Sequence, residues 1–331
     1  MKVAITGASG LVGGNLATQL CEKGHQVRAT RRGTTVVKHL EKLPIEWVSA
    51  ELSDVESLKR AFDGCDAVFH CAAQVSVVTK ITPQIRAANV DGTAHVIAAV
   101  RAASVKRLIH CSTVGAVGLS VDGQTPCGEK AVWNFPEYGL GDAYVTTKHL
   151  AEELVHTEIA KGGLDAVIVN PTYMFGPLDS KPSSGEMIVE VSKRKVPGWT
   201  PGMNNFVDVR DVTRGMQLAW EKGKSGERYI LGGQNMSYRE IFELISKVAG
   251  VKPPSMRAPY ALSRLIGWWG DLTAALSGDE PMLNSTKVLY GYTPRFIFSS
   301  EKAKRELGYT NAPLEQAIRD AYDWFKANGK L

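Results

Sequence analysis

The chain opens on a strand, a glycine loop and a helix in direct succession. Lys2–Thr6 is a short apolar run rich in β-branched residues, which is typical of a buried parallel strand. Residues 7–13 read GASGLVG, and a helical pattern follows. Gly7 permits a tight turn, Gly10 lets a pyrophosphate approach backbone N–H groups, and Gly13 lets the helix pack closely on the strand. The pattern predicts a dinucleotide site, although its spacing is G-x-x-G-x-x-G rather than G-x-G-x-x-G.

The same alternation of strand and helix continues to Asn170. Further strands are predicted at Gln26–Thr30, Ile45–Val48, Asp66–His70, Lys106–Ser112 and Ala166–Asn170, with helices at Val55–Phe62, Pro83–Ala103 and Tyr144–Lys161. This alternation predicts an α/β fold, a Rossmann doubly wound parallel sheet with a smaller, mostly helical C-terminal substrate domain. We expect residues 1–172 to form the cofactor domain, with 206–232 returning to it, and residues 173–205 and 233–331 to form the smaller domain.

Composition excludes several other classes of protein. With 331 residues, 44% hydrophobic and 22% charged, the chain has the makeup of an ordinary soluble globular protein. The net charge of +5 is not concentrated in long basic runs, so no nucleic-acid partner is expected. Five cysteines without a C-x-x-C pair indicate free thiols in the cytoplasm, and no apolar run of about 18 residues exists to span a membrane. His70 and His110 have no neighbouring second ligand, so no metal site is expected.

Tyr144 and Lys148 are candidate catalytic residues. They stand four apart in a predicted helix, so the phenol and the ammonium share one face. The pKa of a tyrosine is ordinarily about 10, and a fixed ammonium beside it favours the phenolate, which makes the hydroxyl a usable proton donor. Such a pair also occurs on solvated helix faces. The dinucleotide loop upstream favours the catalytic interpretation.

Motifs in a fixed order resemble the extended short-chain dehydrogenase/reductases, the NAD-dependent epimerase/dehydratase superfamily, over nearly the whole chain. Besides the glycine loop and the Tyr144–Lys148 pair, they are DAVFHCAA at 66–73, NVDGT at 89–93, CST at 111–113, NPT at 170–172, GP at 176–177, NFVDVRDV at 205–212 and EKAKRELGY at 301–309. Within the superfamily the chain is most similar to dihydroflavonol-reductase-like and hopanoid-associated sugar-epimerase-like proteins. Those two groups imply different chemistry.

The resemblance implies a role for each catalytic candidate. Tyr144 is the proton donor or acceptor at the reacting carbinol, and Lys148 holds the nicotinamide ribose and lowers the pKa of the tyrosine. The hydroxyl that ends the fifth strand is Thr113, or Ser112 if the register slips by one; for both, capping of the strand end is the alternative. Asn89 either supports the lysine from the helix beneath or is a helix-interior polar group satisfied locally.

The loop and the resemblance together outline a nicotinamide cofactor site. We expect it to contain Gly7, Ser9, Gly10, Leu11, Val12, Gly13, Arg31, Arg32, Glu51, Leu52, Cys71, Ala72, Ala73, Tyr144, Lys148, Pro171 and Thr172. The second strand ends without a carboxylate for a ribose 2′-hydroxyl, and its two arginines suit a 2′-phosphate, so NADP(H) is preferred. NAD(H) stays open if both arginines are merely solvated. Glu51 is expected at the adenine, and Asp54 as a helix N-cap.

Three functions are compatible with these motifs. The first is an NADP(H)-dependent reductase of a ketone or aldehyde; the second is a nucleotide-sugar epimerase or dehydratase with tightly bound NAD(P). Against the second stand the missing acid, the sequence Ala116-Val117-Gly118 without the usual tyrosine, and Asn170 where an arginine is common. The third is a cofactor-binding sensor without turnover, which the intact hydroxyl, tyrosine and lysine set disfavours.

The sequence does not name the substrate, a small carbonyl, alcohol or sugar compound. Its specificity is expected from residues 173–205 and the helical tail, where Tyr173, Met174 and Phe175 form either an apolar wall or core. The cluster Leu265–Trp269 is expected to pack the smaller domain, with an apolar pocket or a lipid surface as alternatives. By the resemblance, a homodimer is expected through the helices that carry Asn89 and Tyr144.

Overall fold

The structure, a computed structural model, describes residues 1–33, 37–277 and 283–331, and for 275–277 it describes the helical backbone alone. The strands are β1 Lys2–Thr6, β2 Gln26–Arg31, β3 Ile45–Ser49, β4 Ala67–His70, β5 Arg107–Cys111, β6 Ala166–Pro171, β7 Tyr173–Phe175, β8 Gly198–Trp199, β9 Met203–Asp208, β10 Arg228–Leu231, β11 Gln234–Ser237 and β12 Met256–Arg257. The helices are α1 Leu11–Glu22, α2 Val55–Phe62, α3 Pro83–Arg86, α4 Gly92–Ala102, α5 Ala143–Ala160, α6 Glu186–Ser192, α7 Val209–Lys222, α8 Tyr238–Ala249, α9 Tyr260–Ser277, α10 Ser285–Tyr292, α11 Glu301–Leu307 and α12 Leu314–Ala327.

The main sheet has seven strands in the order β10-β6-β5-β4-β1-β2-β3, and every pair is parallel. The order reverses direction between β1 and β4, which is the switch point where doubly wound sheets bind ligands at the carboxyl ends of their strands. The fold class predicted from the alternation of strands and helices is therefore confirmed. We call the side of the sheet where the strands end the carboxyl edge.

Helices cover both faces of this sheet. One apolar core contains Leu16 of α1, Met216 of α7 and Leu307 of α11, and the other contains Leu58 of α2 and Val155 of α5. Strands between two such layers have no solvated face, which explains why β1, β4 and β6 read as almost continuous apolar runs. The catalytic candidates on α5 therefore start from a helix held by a rigid layer.

A second unit is built on a three-stranded sheet with the order β11-β9-β7. Its core combines these strands with α6, α8 and α12, and the ring of Phe175 stacks on that of Phe206 with 5.7 Å between centroids. Of the stretch 206–232 that we expected in the main sheet, α7 packs on it and β10 joins it, whereas β9 belongs to the second sheet. The backbone changes from strand to helix at Asp208, which caps α7 by accepting from Arg210 N.

Hydropathy limits what the helices can do. No described helix combines the length and apolar character needed to cross a bilayer.

Candidate active site

The glycine loop joins β1 to α1 with contacts that only glycine permits. Gly7 has φ = +75°, and a Cβ placed there would lie 2.6 Å from the nitrogen of Ala72. A Cβ at Gly13 would lie 2.3 Å from the carbonyl oxygen of Gly7. Both positions therefore require glycine because backbone passes against backbone. Cys71, Ala72 and Ala73, which follow β4, are held at this loop, and Cys71 N donates to Thr6 O.

The start of α1 fits the pyrophosphate of a dinucleotide. Gly10 is the N-cap in extended conformation and offers no side chain to the first N–H groups of the helix. A Cβ added at Gly10 would meet its nearest atom only at 3.5 Å, so the approach to this end is open, and Ser9 is exposed beside it. Leu11 is buried and Val12 is half-buried, so these residues face the fold with their side chains and the loop with their N–H groups.

Arg31 ends β2 as expected, and its guanidinium lies 6.0 Å from the ring centroid of Trp47. Arg32 follows in an exposed position, and Thr34 and Thr35 of the same loop lie outside the described residues. Glu51 is exposed at the end of the neighbouring strand. The carboxyl end of β2 thus presents two cations and no acid.

Leu52 and Asp54 organise the adjoining turn. The carbonyl of Leu52 is hydrogen-bonded to Nδ1 of His95 at 2.7 Å, and Asp54 caps α2 by accepting from Glu56 N and Ser57 N. The N-cap predicted for Asp54 is confirmed.

Tyr144 lies in the first turn of α5, with Lys148 one turn later on the same face. Asp142 starts the helix by accepting from Val145 N. The Lys148 ammonium is buried and donates to the carbonyl oxygen of Cys111, 2.8 Å away, at the end of β5. Burial lowers the pKa of Lys148, while the nearby Cys111 and Glu152 oppose that shift. The pair expected from the i, i+4 spacing therefore meets the carboxyl edge of the main sheet.

The half-buried phenol of Tyr144 is hydrogen-bonded to the hydroxyl of Thr113. Burial raises the pKa of Tyr144 and Cys111 adds to the rise, while the bond to Thr113 opposes it. This direction of the pKa shift is opposite to the lowering expected from Lys148, because burial of the phenol has the largest effect. Tyr144 is accordingly a protonated hydroxyl at neutral pH.

Ser112, the alternative hydroxyl, is engaged elsewhere. Its Oγ donates to Glu152 Oε2 across 2.5 Å, on the buried side of α5. Asn170 donates to the same carboxylate at 2.8 Å and to the carbonyl oxygen of Thr113 at 2.9 Å, and Arg228 Nη1 lies 3.1 Å from Glu152 Oε1. This network fixes the end of β5 so that Ser112 points to Glu152 and Thr113 to Tyr144.

Glu152 was missed by the sequence reasoning, although one signal was available. It continues the series Tyr144, Lys148, Glu152 at i, i+4 and i+8, so it had to share their helix face. The spacing could not predict the ion-pair partner of Glu152, because Arg228 belongs to β10, far along the chain.

Asn89 lies in a π-helical turn, Ala87–Asp91, between α3 and α4. Its Oδ1 accepts from Gln74 N at 2.7 Å, and its Nδ2 donates to Gln74 O at 2.9 Å and to Thr147 Oγ1 at 3.0 Å. The side chain thus joins the loop after β4 to the turn of α5 between Tyr144 and Lys148. It supports α5 rather than contacting the lysine ammonium.

Two cysteines that pack against the apolar core also border this site. The thiols of Cys71 and Cys111, at the ends of the adjacent strands β4 and β5, are hydrogen-bonded to each other. That bond raises the pKa of Cys71 and lowers that of Cys111, and the ammonium of Lys148 lowers both. The sequence analysis placed Cys71 in the cofactor site but did not predict its contact with Cys111, because that contact depends on strand order.

The remaining cofactor candidates close the edge of the sheet. Pro171 ends β6, and Thr172 follows with a buried Oγ1 that has no hydrogen-bond partner among the described residues. Such an orphaned hydroxyl fits a polar group of a bound dinucleotide. Tyr173 and Phe175, for which a pocket wall and core packing were the two alternatives, pack in the core of the second unit.

No cluster of histidine, cysteine or acidic side chains within the described ranges has the arrangement of a metal site. The arrangement at the carboxyl edge is instead a glycine cradle, a cationic strand end, and a tyrosine, threonine and lysine set. These parts fit a nicotinamide dinucleotide together with a substrate that exchanges a proton.

Comparison with known proteins agrees with this geometry. The NAD dependent epimerase/dehydratase family matches residues 3–232. The chain is 35% identical over 330 residues to the "Putative dihydroflavonol 4-reductase" of Synechocystis sp., covering 98% of this chain and 94% of that one. It is 30% identical over 344 residues to sterol demethylase protein B of Methylococcus capsulatus, covering 100% of both. A solved nucleoside-diphosphate-sugar epimerase from Pseudomonas aeruginosa has a TM-score of 0.82 at 26% identity, covering 100% of this chain and 99% of that one.

The fold and the site define an oxidoreductase-type enzyme with a Rossmann dinucleotide domain. The chain belongs to the NAD dependent epimerase/dehydratase family, within the extended short-chain dehydrogenase/reductases.

Proposed function

We propose that this enzyme reduces a ketone or aldehyde to an alcohol and uses NADP(H). The observation that carries the proposal is the bond between the hydroxyls of Tyr144 and Thr113, beside a buried Lys148 ammonium. Two hydroxyls at one point form a site for a carbonyl oxygen, with one donor to polarise it and one to protonate it. A relative that spans the whole chain is described as a reductase, which supports the same choice.

The protein's own groups account for the proton. Because burial raises the pKa of Tyr144, its hydroxyl keeps its proton until negative charge develops on a substrate oxygen. Thr113 Oγ1 donates a hydrogen bond to that oxygen, and Tyr144 Oη transfers its proton there as the alkoxide forms. The fixed charge of Lys148 stabilises the phenolate left behind, which solvent then reprotonates. When bound, the nicotinamide supplies the hydride.

The preference for NADP(H) is supported by the end of β2. Arg31 and Arg32 stand there, the sequence 27–35 contains no Asp or Glu, and a guanidinium suits a ribose 2′-phosphate in both charge and geometry. Tighter binding of NADPH than of NADH, measured by fluorescence titration, is the expected result. Arg31→Ala should reduce that difference.

Substitution at three hydroxyls tests the catalytic assignment. Tyr144→Phe should lower kcat by about 10²- to 10⁴-fold and leave NADPH binding intact, since only the proton donor is removed. Thr113→Val should lower kcat by about 10²-fold. Ser112→Ala should keep kcat while lowering the unfolding temperature, because Glu152 loses a donor. Full activity of Tyr144→Phe, or a Ser112→Ala loss equal to that of Thr113→Val, would reject the assignment.

A nucleotide-sugar epimerase or dehydratase is the second candidate. It is favoured by the full-length similarity to the sugar epimerase of Pseudomonas aeruginosa. The two candidates separate in one assay, because a reductase consumes NADPH stoichiometrically when given aldehydes and ketones, whereas an epimerase retains its cofactor without net oxidation. Absorbance at the nicotinamide band measures the difference.

Location and assembly complete the proposal. All five cysteines are free thiols, which supports a cytoplasmic enzyme. The homodimer expected through α4 and α5 is checked by size-exclusion chromatography with light scattering.

A further inference from the structure

Helix α9 turns small side chains towards the protein and large apolar side chains towards solvent. This is the reverse of the usual arrangement in a water-soluble domain. The side that faces α10 carries small residues, Ser263, Gly267 and Gly270. A Cβ at Gly267 would lie 2.9 Å from Val288 Cγ2, so the two helices approach closely. The large apolar side chains of α9 therefore point away from the protein.

That outward face is broad and continuous. At 100° per residue, Leu262, Leu265, Trp268, Trp269 and Leu272 fall within an arc of about 120° opposite the packed side. Their exposed fractions range from 40% at Leu272 to 61% at Leu265. The expectation that the cluster Leu265–Trp269 packs the smaller domain is wrong, apart from its glycine. Monomeric soluble proteins rarely leave an apolar patch of this kind uncovered.

The chemistry around the face favours one kind of cover. Two tryptophans and Tyr260 have the amphipathic rings that settle at the boundary between lipid headgroups and acyl chains. Arg264 lies at the rim, with its guanidinium 5.9 Å from the ring centroid of Tyr260. The Arg264 guanidinium can reach a lipid phosphate from this position, while the apolar part of its side chain lies along the edge of the outward face.

Charge in the same stretch supports an anionic surface. Between residues 252 and 274 the exposed cations are Lys252, Arg257 and Arg264, and the acid is Asp271. Asp271 is partly compensated because its carboxylate accepts from Ser285 N. Asp279 and Glu280 follow in the sequence and lie outside the described residues. A cationic rim around an apolar, tryptophan-bearing face complements anionic phospholipid headgroups.

We propose that α9 docks this enzyme onto an anionic phospholipid membrane, lying in the plane of the interface with its outward face among the upper acyl chains. From Leu262 to Leu272 this face is about 15 Å long. Because no described helix is suited to cross the bilayer, the attachment is peripheral and reversible.

α10, on which α9 packs, borders the candidate active site. α10, which carries α9, is tied to the loop after β4 by Asn284 Nδ2, which donates to Val77 O at 2.7 Å. It is also tied to the start of α5 by Tyr290 Oη, 2.6 Å from Asp142 Oδ2. A docked molecule would therefore hold this rim near the lipid, although docking itself does not depend on the reaction proposed above.

Vesicle sedimentation tests the proposal with the full chain. Wild-type protein should sediment with vesicles of phosphatidylcholine mixed with phosphatidylglycerol, and more weakly with phosphatidylcholine alone. Leu265→Glu with Trp269→Glu should lower the partition coefficient at least about tenfold. The matched control is Val132→Glu, since Val132 is an exposed apolar residue outside α9 and should leave binding unchanged. Arg257→Glu with Arg264→Glu should remove the advantage of the anionic vesicles.

Two results would overturn the proposal. One is wild-type protein that stays in the supernatant with both kinds of vesicle. The other is a wild-type dimer that the α9 double variant converts to a monomer, without vesicle binding, because the face would then be covered by a second copy. As a check independent of the glutamate variants, lipids brominated in the acyl chain should quench the tryptophan fluorescence of wild-type protein, and Trp268→Phe with Trp269→Phe should abolish most of that quenching.

Discussion

Two buried histidines lie side by side below the candidate site, at the ends of β4 and β5. The ring centroids of His70 and His110 are 5.5 Å apart. His70 is hydrogen-bonded to Thr6 and Thr93, at 2.8 and 3.1 Å, whereas both ring nitrogens of His110 are buried without a partner among the described residues. Burial lowers the pKa of His70 to about 3 and that of His110 well below its usual value, with Lys148 adding to both shifts.

These shifts predict how stability depends on pH. Below about pH 6.5 a histidine in the unfolded chain is protonated, whereas the buried His70 ring stays neutral until about pH 3. The unfolded state therefore binds more protons in this range, and the free energy of unfolding falls as the pH drops from 6.5 towards 3. Each histidine contributes a slope of at most about 1.4 kcal/mol per pH unit. His110→Leu should remove one such slope and leave stability at neutral pH unchanged or higher, since no hydrogen bond is lost.

Urea unfolding between about pH 7 and about pH 5 measures this difference above the range where carboxylates dominate. His70→Leu is the matched control, because it removes a similar slope but should cost stability at neutral pH, since Thr6 and Thr93 each lose one buried hydrogen bond. An unchanged slope in His110→Leu would contradict the burial argument.

Residue-level chemistry was only partly predictable. Tyr144 and Lys148 follow from helical spacing, which is local. Which of Ser112 and Thr113 meets the tyrosine depends on Glu152 and Asn170, and these reach β5 from a helix and a strand that follow later in the chain. No local pattern in Cys111-Ser112-Thr113 contains that information.

At the scale of elements, the turn between β1 and α1 sets how closely the first helix approaches the sheet. It depends on two backbone contacts, Gly7 against Ala72 and Gly13 against Gly7. The sequence predicted this element well because each glycine has a steric reason at a fixed spacing. The cap of α2 at Asp54 was predictable for the same reason, since capping is local.

Adjacent glycines in α1 provide a sharp test of this turn. Gly13→Ala should destabilise the fold by roughly 1–3 kcal/mol and weaken dinucleotide binding, because its Cβ would lie 2.3 Å from Gly7 O. Gly14→Ala is the matched control, since its Cβ would meet its nearest atom at 3.4 Å and alanine favours the helix. Thermal unfolding with and without NADPH measures both effects. Equal losses at the two positions would mean that helix geometry, not the close contact, governs the turn.

At the scale of the whole molecule, a hydrogen bond at Asp142 joins α10 to the start of α5. One oxygen of this carboxylate caps α5 by accepting from Val145 N, and the other accepts from Tyr290 of α10. The hydrogen bond spans 148 residues of sequence. α10 is thereby joined to the first turn of the helix that carries Tyr144.

Substitutions at two tyrosines of α10 distinguish the effect of the Tyr290–Asp142 hydrogen bond from the effect of general packing. Tyr290→Phe should lower kcat/KM about tenfold, because the start of α5 and the rim of the site lose a shared anchor. Tyr292→Phe removes a bond to Ala258 O that does not reach α5, and should leave kcat/KM within about twofold. Steady-state kinetics with NADPH in excess, alongside unfolding temperatures, distinguishes the two. Equal kcat/KM values for the two variants would show that the Tyr290–Asp142 hydrogen bond does not affect catalysis.

The overall architecture was predictable up to the point where the chain leaves the first unit. Alternating strands and helices indicate a parallel sheet, and its order follows from connection rules. β9 was misplaced because a three-residue strand, β7, and the Phe175–Phe206 stack draw it into a separate sheet. The exposure of α9 was not predictable, since an apolar run reads the same whether it faces a core or a surface.

The contact at Asp142 also has a consequence for the time at which the enzyme matures. A ribosome makes the Rossmann strands, Tyr144 and Lys148 long before it reaches Tyr290. A nascent chain can therefore fold its dinucleotide cradle while the entrance to the catalytic helix still lacks its last anchor. Cofactor binding is expected to precede competence for turnover during synthesis, and translation of α10 becomes the step that completes the site.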